Sequence, residues 1–580
     1  MSLNNNNSNS NSNSNENSNE NNDHESVLKR LKEVASIEYP FHPIPKLMIP
    51  KNKDERVNLK SWKNLRPLFK SMILLLLNII CPPLVIIFTG LGYYYYYQKE
   101  EYGEGQVGEG LSTTSSNYFK LGAVCFVRTI MKDPFFIHNI TNGRFGGLGR
   151  SDGSNNANGK TSPSAKEGFF CNEKNNTNIR IRSKLQQYIE NYSPTPYFYS
   201  GDLLTLAPFL LFKGSIGGKV PYERYWVKVP TAPAPDGDNG PSKKCKVSFS
   251  TSTTKDNDND NEEEAVALDI VFPKDGYQSD KPTFLVSHGL NGGSTEPYVL
   301  DLARRATKEG CTVAVMINRG LMKTPIIGYE SFHGARTSDL GCTVDALNYA
   351  LYGTSTDTTT TKKKSKIIMV GFSMGGIIAA NYTAKSKDNS GIAGTLCFSG
   401  SICASKLLLK NCPPAQHSMK VWQPSLAWGL KATIIKPLMP KFVQRKITMA
   451  QVENVHTVID IDTDLVCKYH GYSSVHDYYE DNSAGGLGDT KGMNRLMGTK
   501  VPLLAVHAID DPISLYEVTL HNEISKTENV MLLSTKHGGH IGWPTGWFPS
   551  KNRWNFMIDI AMDYASEIIE INIQKEEKEE

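Results

Sequence analysis

An α/β fold with a mostly parallel central sheet, helices on both faces and a helical cap inserted late in the chain is what the sequence predicts. Short apolar runs of strand length, Thr283–Ser287, Thr312–Ile317, Lys366–Val370, Val501–His507 and Asn529–Ser534, recur along the chain, as buried parallel strands do. The residues that can carry chemistry follow these runs, at the carboxyl ends where open α/β sheets collect their functional groups. Between Ser401 and Lys500 the strand pattern pauses and helix-like stretches take over.

From the amino terminus, residues 1 to about 25 are almost wholly Asn, Ser and Glu, too polar to bury a core; they open a disordered tail and basic segment over 1–68. From Ser71 to Tyr97 no charged residue appears, and the aromatic Tyr93–Tyr97 would sit at an interface. This predicts a membrane segment over 69–97, too deep in the chain for a signal peptide. Lys51, Lys53, Arg56, Lys60, Lys63, Arg66 and Lys70 precede it and Glu100, Glu101 and Glu104 follow, which for a single span faces the amino terminus to the cytosol, an endomembrane such as the endoplasmic reticulum being favoured. The domain built from the recurring strands would then be lumenal, with Asn139, Asn175 and Asn191 open to glycosylation. Pro82-Pro83 keeps a re-entrant hairpin and a cytosolic domain as the alternative. A low-complexity linker over 98–184 leads to the α/β domain over 185–572, interrupted by a Pro-, Ser- and Asp-rich insertion at 231–264.

The most informative stretch is Gly371-Phe372-Ser373-Met374-Gly375-Gly376, a G-x-S-x-G sequence between an apolar run and a helix-like one. A serine on such a sharp turn projects its hydroxyl above the sheet, and the glycines let the backbone pack closely around it. Asp510-Asp511 follows the strand at Val501–His507, and His537-Gly538-Gly539-His540 follows the strand at Asn529–Ser534. Ser, then Asp, then His is the order this chemistry requires. Ser373 is the expected nucleophile, His540 its base and Asp511, directly before Pro512-Ile513, the acid; Asp510 would cap the turn or assist, and His540 is preferred to His537 because glycines flank it. The glycine-rich loop His288–Ser294 ends the strand Thr283–Ser287 and suggests the amides of Met374 and Leu290 as oxyanion donors, with His288 structural. Covalent acyl transfer of this kind needs neither metal nor organic cofactor.

The stretch from Trp422 to Arg445 alternates Trp428, Leu430, Ile434, Ile435, Leu438 and Phe442 with basic residues, and lies within the predicted cap, 401–500. Such a helix could receive an acyl chain over Ser373 or simply pack on the sheet. No C-x-x-C pair is present among the ten cysteines, so buried free thiols are expected. A net charge of +4 over 580 residues argues against a nucleic-acid surface.

These motifs, joined by Pro194–Tyr197, Asp202–Thr205, Tyr222-Glu223-Arg224, Asn318-Arg319-Gly320, Thr337–Leu340, His470-Gly471-Tyr472 and Asp477-Tyr478-Tyr479, resemble the membrane-anchored α/β-hydrolase-domain esterases and phospholipases. That family includes yeast medium-chain fatty acid ethyl ester synthase/esterases and soluble bacterial relatives. The resemblance spans roughly residues 185–570. It implies an α/β-hydrolase fold and a triad of Ser373, an aspartate of the 510–511 pair and His540, acting on lipid acyl esters at a membrane. Ester synthesis or thioester hydrolysis on the same site is the alternative, and a non-catalytic scaffold a remoter one. Arg319 is expected to tie neighbouring loops together. The sequence names no protein partner.

Overall fold

The computed structural model describes residues 13–34 and, apart from 199, 213–216, 230–263, 323, 325, 327–330, 354–365, 387–390, 405–412 and 487–494, residues 165–579. The predicted membrane segment, most of the 98–184 linker and nearly all of the 231–264 insertion lie outside the described residues. Among the described residues no helix is long and apolar enough to cross a membrane.

Among the described residues nine strands form one sheet: β1 (Gly168–Phe170), β2 (Glu223–Val229), β3 (Glu264–Val271), β4 (Thr283–Ser287), β5 (Thr312–Ile317), β6 (Ile367–Phe372), β7 (Gly394–Phe398), β8 (Leu503–Ala508) and β9 (Val530–Thr535), in the order β1-β9-β8-β7-β6-β4-β5-β3-β2. From β5 across to β9 every neighbouring pair is parallel, and the antiparallel pairs are confined to β1 with β9 and to β2 and β3 with β3 and β5. Both faces of the central strands are covered. Phe284, Val286, Val313, Val315, Ile368, Val370, Leu504 and Val506 enter one core, while Leu285, Ala314, Met316, Ile367, Met369, Leu503 and Ala505 enter the other. That split follows from side chains alternating across a strand, and it explains why these runs carry no polar alternation.

The chain steps from β4 outward to β5 and then back to β6 on the other side of β4. At such a reversal the loops after adjacent strands diverge and leave a crevice. The loops after β4 and β6 are the glycine-rich loop and the serine turn.

Two expectations need correction. The sheet starts before residue 185, because β1 pairs with β9 through Gly168↔Ser534 and Phe170↔Leu532. A three-residue edge strand has too little length to show a periodicity of its own. The amino-terminal tail is also not uniformly free: the helix Asn13–Val34 buries Val27 and Leu31 against the core beneath the helix Ser338–Tyr352. Arg30 Nε donates to Ala350 O at 2.7 Å, His24 Nδ1 accepts from the Tyr277 amide at 3.1 Å, and the His24 ring meets Phe272 edge-on. Each of the two buried aliphatic side chains contributes about 1.5–3 kcal/mol, enough to hold a helix whose own composition is unfavourable.

Between β7 and β8 the chain forms the helix Pro413–Leu430, a wider turn at Lys431–Ile435, the helix Met439–Gln444 and several shorter helices. Leu430, Ile434, Ile435 and Phe442 are buried in the same core as one face of the sheet. The amphipathic face foreseen over Trp422–Arg445 therefore packs inward.

Candidate active site

Ser373 sits between β6 and the helix Met374–Ser386 with φ at 52°, a left-handed conformation costly for a residue with a Cβ. Its amide donates to Phe398 O at 2.9 Å on β7, and its carbonyl accepts from Ile377 at 3.1 Å, which locks the turn from both sides. A Cβ at Gly371 would lie 2.5 Å from Gly375 O, and one at Gly375 would lie 2.0 Å from Ser287 O. The two glycines of the motif are thus required by the backbone of β4 and of the turn itself.

His540 Nε2 lies 2.7 Å from Ser373 Oγ, and its Nδ1 lies 2.8 and 3.1 Å from the two oxygens of Asp511. Asp511 is buried; its Oδ1 also accepts from the amides of Ile513 at 2.9 Å and Ser514 at 2.8 Å. Burial alone would push this carboxyl up, but the His540 ring and its hydrogen bond, His507 and the Ile513 amide together hold it below the usual carboxylate range. An ionised Asp511 fixes the proton on Nδ1 and leaves Nε2 free to accept from the serine.

Asp510 is used differently. Its Oδ2 meets His537 Nδ1 at 3.0 Å and its Oδ1 accepts from the Gly539 amide at 2.9 Å, so the second Asp–His pair braces the loop that carries His540. The structure brings Ser373, His540 and Asp511 together and leaves His537 and Asp510 beside them.

Of the two proposed oxyanion donors, Met374 is the first residue of its helix, where a backbone N–H has no acceptor within the helix. Leu290 lies in a turn closed by Gly292 N–H donating to Gly289 O at 3.0 Å, with Asn291 at φ 59°. The turn rests on the serine: a Cβ at Gly289 would be 3.5 Å from Ser373 Cβ. Tyr298 Oη accepts from the Gly289 amide at 3.1 Å and holds the loop down. His288 is fully buried, accepts from Asn318 N–H through Nε2 at 3.3 Å and donates from Nδ1 to Gly289 O at 2.8 Å; burial pushes it down to about 4, so it is a neutral strut.

The remaining motifs support this constellation. Arg319 forms a buried two-pronged pair with Asp339 at 2.7 and 2.6 Å, as expected of a loop tie. Arg224 pairs with Asp269 on the adjacent strand at 2.6 and 2.8 Å, and Asp269 accepts from Ser294 Oγ at 2.5 Å, linking the β2–β3 hairpin to the glycine-rich loop. Sequence reasoning missed how the helix Gly201–Leu211 serves the site. Thr205 Oγ1 accepts from the His540 amide at 2.8 Å, and Asp202 accepts from His417 Nε2 at 2.9 Å and Trp422 Nε1 at 2.6 Å, joining the His540 loop to the helix Pro413–Leu430. Asp202–Thr205 was visible as a motif, but its partners lie more than two hundred residues away. The hydrogen bond to Asp202 raises His417 above the ordinary imidazole value against the effect of burial. Thr433 Oγ1 donates to Asn291 Oδ1 at 3.0 Å, so the segment inserted after β7 lies against the loop of Leu290.

Asn175, a foreseen glycosylation position, spends its side chain on capping the helix Asn176–Leu185 and on Glu528 O at 3.0 Å. Cys171, Cys311, Cys342, Cys397, Cys403 and Cys467 are buried free thiols. Among the described residues no cluster of His, Cys, Asp and Glu could hold a metal ion.

A parallel sheet of this order, with a strained serine at its reversal point and a histidine loop closing on it, defines the α/β-hydrolase fold. A family model described as alpha/beta hydrolase fold matches residues 282–445. An abhydrolase domain-containing protein of Dictyostelium discoideum is 27% identical over 311 residues, 53% of this chain and 72% of that protein. A monoacylglycerol lipase of Saccharomyces cerevisiae is 26% identical over 47% of this chain and 57% of its own length, and monoacylglycerol lipase ABHD2 of Danio rerio 27% identical over 53% and 68%. The chain thus has the α/β-hydrolase fold and is similar to esterases and lipases of that fold, which supports a carboxylic ester hydrolase.

Proposed function

We propose that this enzyme is a membrane-associated serine hydrolase that cleaves carboxylic esters of lipids, medium-chain acyl esters or phospholipids, through Ser373, His540 and Asp511. The observation that carries the reading is the 2.7 Å contact between Ser373 Oγ and an imidazole whose far nitrogen is held by a buried, ionised carboxylate. Ser373 Oγ attacks the acyl carbonyl as His540 Nε2 takes its proton, and Asp511 stabilises the imidazolium. The oxyanion forms toward the amides of Met374 and Leu290. Collapse breaks the bond to the alcohol oxygen, which leaves with the proton from His540. Water then attacks the acyl-serine, giving its proton to His540, and the fatty acid departs as Ser373 recovers its hydrogen.

The lipid class is supported by two relatives that are named monoacylglycerol lipases and by the charge-free run from Ser71 to Tyr97. The test is labelling of membranes with an active-site fluorophosphonate, comparing the natural protein with Ser373→Ala and profiling lipids in both. Label is expected on the natural chain alone, with one lipid ester accumulating in the variant; equal labelling would sink the assignment of the nucleophile.

A further inference from the structure

Among the described residues Trp547 and Phe548 are the most exposed large apolar side chains, 70% and 69% open to solvent. They do not stand alone. Tyr197, itself exposed, donates from Oη to Trp547 O at 2.9 Å, and the two segments are pinned by Thr195 N–H donating to Pro544 O at 3.0 Å. The helix Pro549–Asn552, which begins next to Phe548, packs on the helix Gly201–Leu211, whose last three residues Phe209, Leu210 and Leu211 are all exposed. Three separate segments therefore present one apolar, largely aromatic face.

The face stands on the elements that hold the reacting groups. Phe209 meets Tyr298 edge-on at 6.2 Å, and Tyr298 fixes the Gly289 amide; four residues before Phe209, Thr205 holds the His540 amide. Within the three segments themselves the charge is one-sided, the neighbouring Asp301 being paired with Arg553 and Asp202 with His417. Residues 194–198, 203–212 and 541–553 contain no Asp or Glu, while the Lys551 ammonium lies 5.4 Å over the Phe548 ring. Exposed Trp, Tyr and Phe with a neighbouring lysine is the composition that settles at the headgroup level of a bilayer, rings toward the acyl chains and ammonium toward phosphate.

We infer that Tyr197, Phe209–Leu211, Trp547 and Phe548, with Lys551, form the face by which the catalytic domain docks on the headgroup layer of an anionic lipid surface. The inference rests on the proposed lipid-ester reading for its purpose, though its test does not depend on turnover. Docking here brings the surface from which an ester is drawn against the helix that carries Thr205.

The full chain is mixed with phosphatidylcholine/phosphatidylserine vesicles whose acyl chains carry bromine, and tryptophan quenching is compared with that of Trp547→Phe. The natural chain should lose more emission than the variant, and the difference should shrink in vesicles of phosphatidylcholine alone. In parallel, Trp547→Ser with Phe548→Ser should raise the apparent KM for ester presented in vesicles about tenfold, while kcat/KM on a water-soluble short-chain ester stays within about twofold. Equal quenching of the two proteins overturns the inference. So does a Trp547 emission already blue-shifted without lipid, which would mean that another segment of this chain or a second copy covers the face, and so does equal loss on both esters. Quenching that persists while Ser373→Ala remains labelled by fluorophosphonate would leave the docking face standing and fell the proposed nucleophile alone.

Discussion

Replacing Asp511 by Asn should separate the two adjacent aspartates more sharply than any other change. The amide keeps the shape of the carboxyl and an acceptor for Ile513 and Ser514, but removes the charge 2.8 Å from His540 Nδ1. Two unit charges at that separation interact by about 6 kcal/mol at an effective dielectric of about 20, as 332 divided by the product of distance and dielectric. That corresponds to about four orders of magnitude in rate, similar to the loss of about 10⁴ in kcat when the acid of a serine-protease triad is made an amide. Asp510→Asn leaves this pair intact and weakens only the brace to His537 and Gly539, so its kcat should fall less than about tenfold, in the range of one partly exposed hydrogen bond. Steady-state hydrolysis of a soluble chromogenic ester reads both. An Asp510→Asn enzyme as damaged as Asp511→Asn, or an Asp511→Asn enzyme within tenfold of the natural rate, would refute the assignment.

Thr205→Val removes the acceptor of the buried His540 amide, a cost of about 1–3 kcal/mol, and is expected to lower kcat/KM about tenfold or more; Thr205→Ser should restore most of it, and equal loss in both variants would point to packing instead. Folding stability should fall in mild acid. His333 is buried against the His470 ring and burial pushes it down to about 4, against the pull of Asp481 and Asp339 and with the help of Lys385 and Arg319. Because its folded value lies below the unfolded value of about 6.5, its contribution is complete above pH 6.5 and declines as pH falls toward 4, with about 2 kcal/mol lost by pH 5. Denaturant titrations at pH 7.5 and 5 should therefore show a smaller decline for His333→Asn than for the natural protein, whatever its absolute stability; identical declines would exclude His333 as a source.

Much of the fold is legible in the amino-acid sequence itself. β4 and β5 were legible to the residue, since buried parallel strands appear as uninterrupted apolar runs. That Ser373, Asp511 and His540 come together was foreseeable from their order along the chain, since each follows a recognisable strand. What escaped was long-range or weakly patterned. The three residues of β1 reveal themselves only by pairing with β9, and Asp202 only by meeting His417 and Trp422. The helix Asn13–Val34 was hidden by its Asn-rich start, because two buried aliphatic residues are too few to make a periodicity. For the stretch Trp422–Arg445 the pattern was right and its direction open, as amphipathicity says that one side is covered and not by what.

That amino-terminal helix also bears on topology. Residues 13–34 and the sheet that starts at Gly168 share one packed body, so both ends of the intervening chain must lie on the same side of any bilayer. A path that leaves and returns to one compartment crosses a membrane an even number of times, zero included. A single crossing with the amino terminus in the cytosol and the serine in the lumen would pull His24, Val27 and Leu31 off the domain.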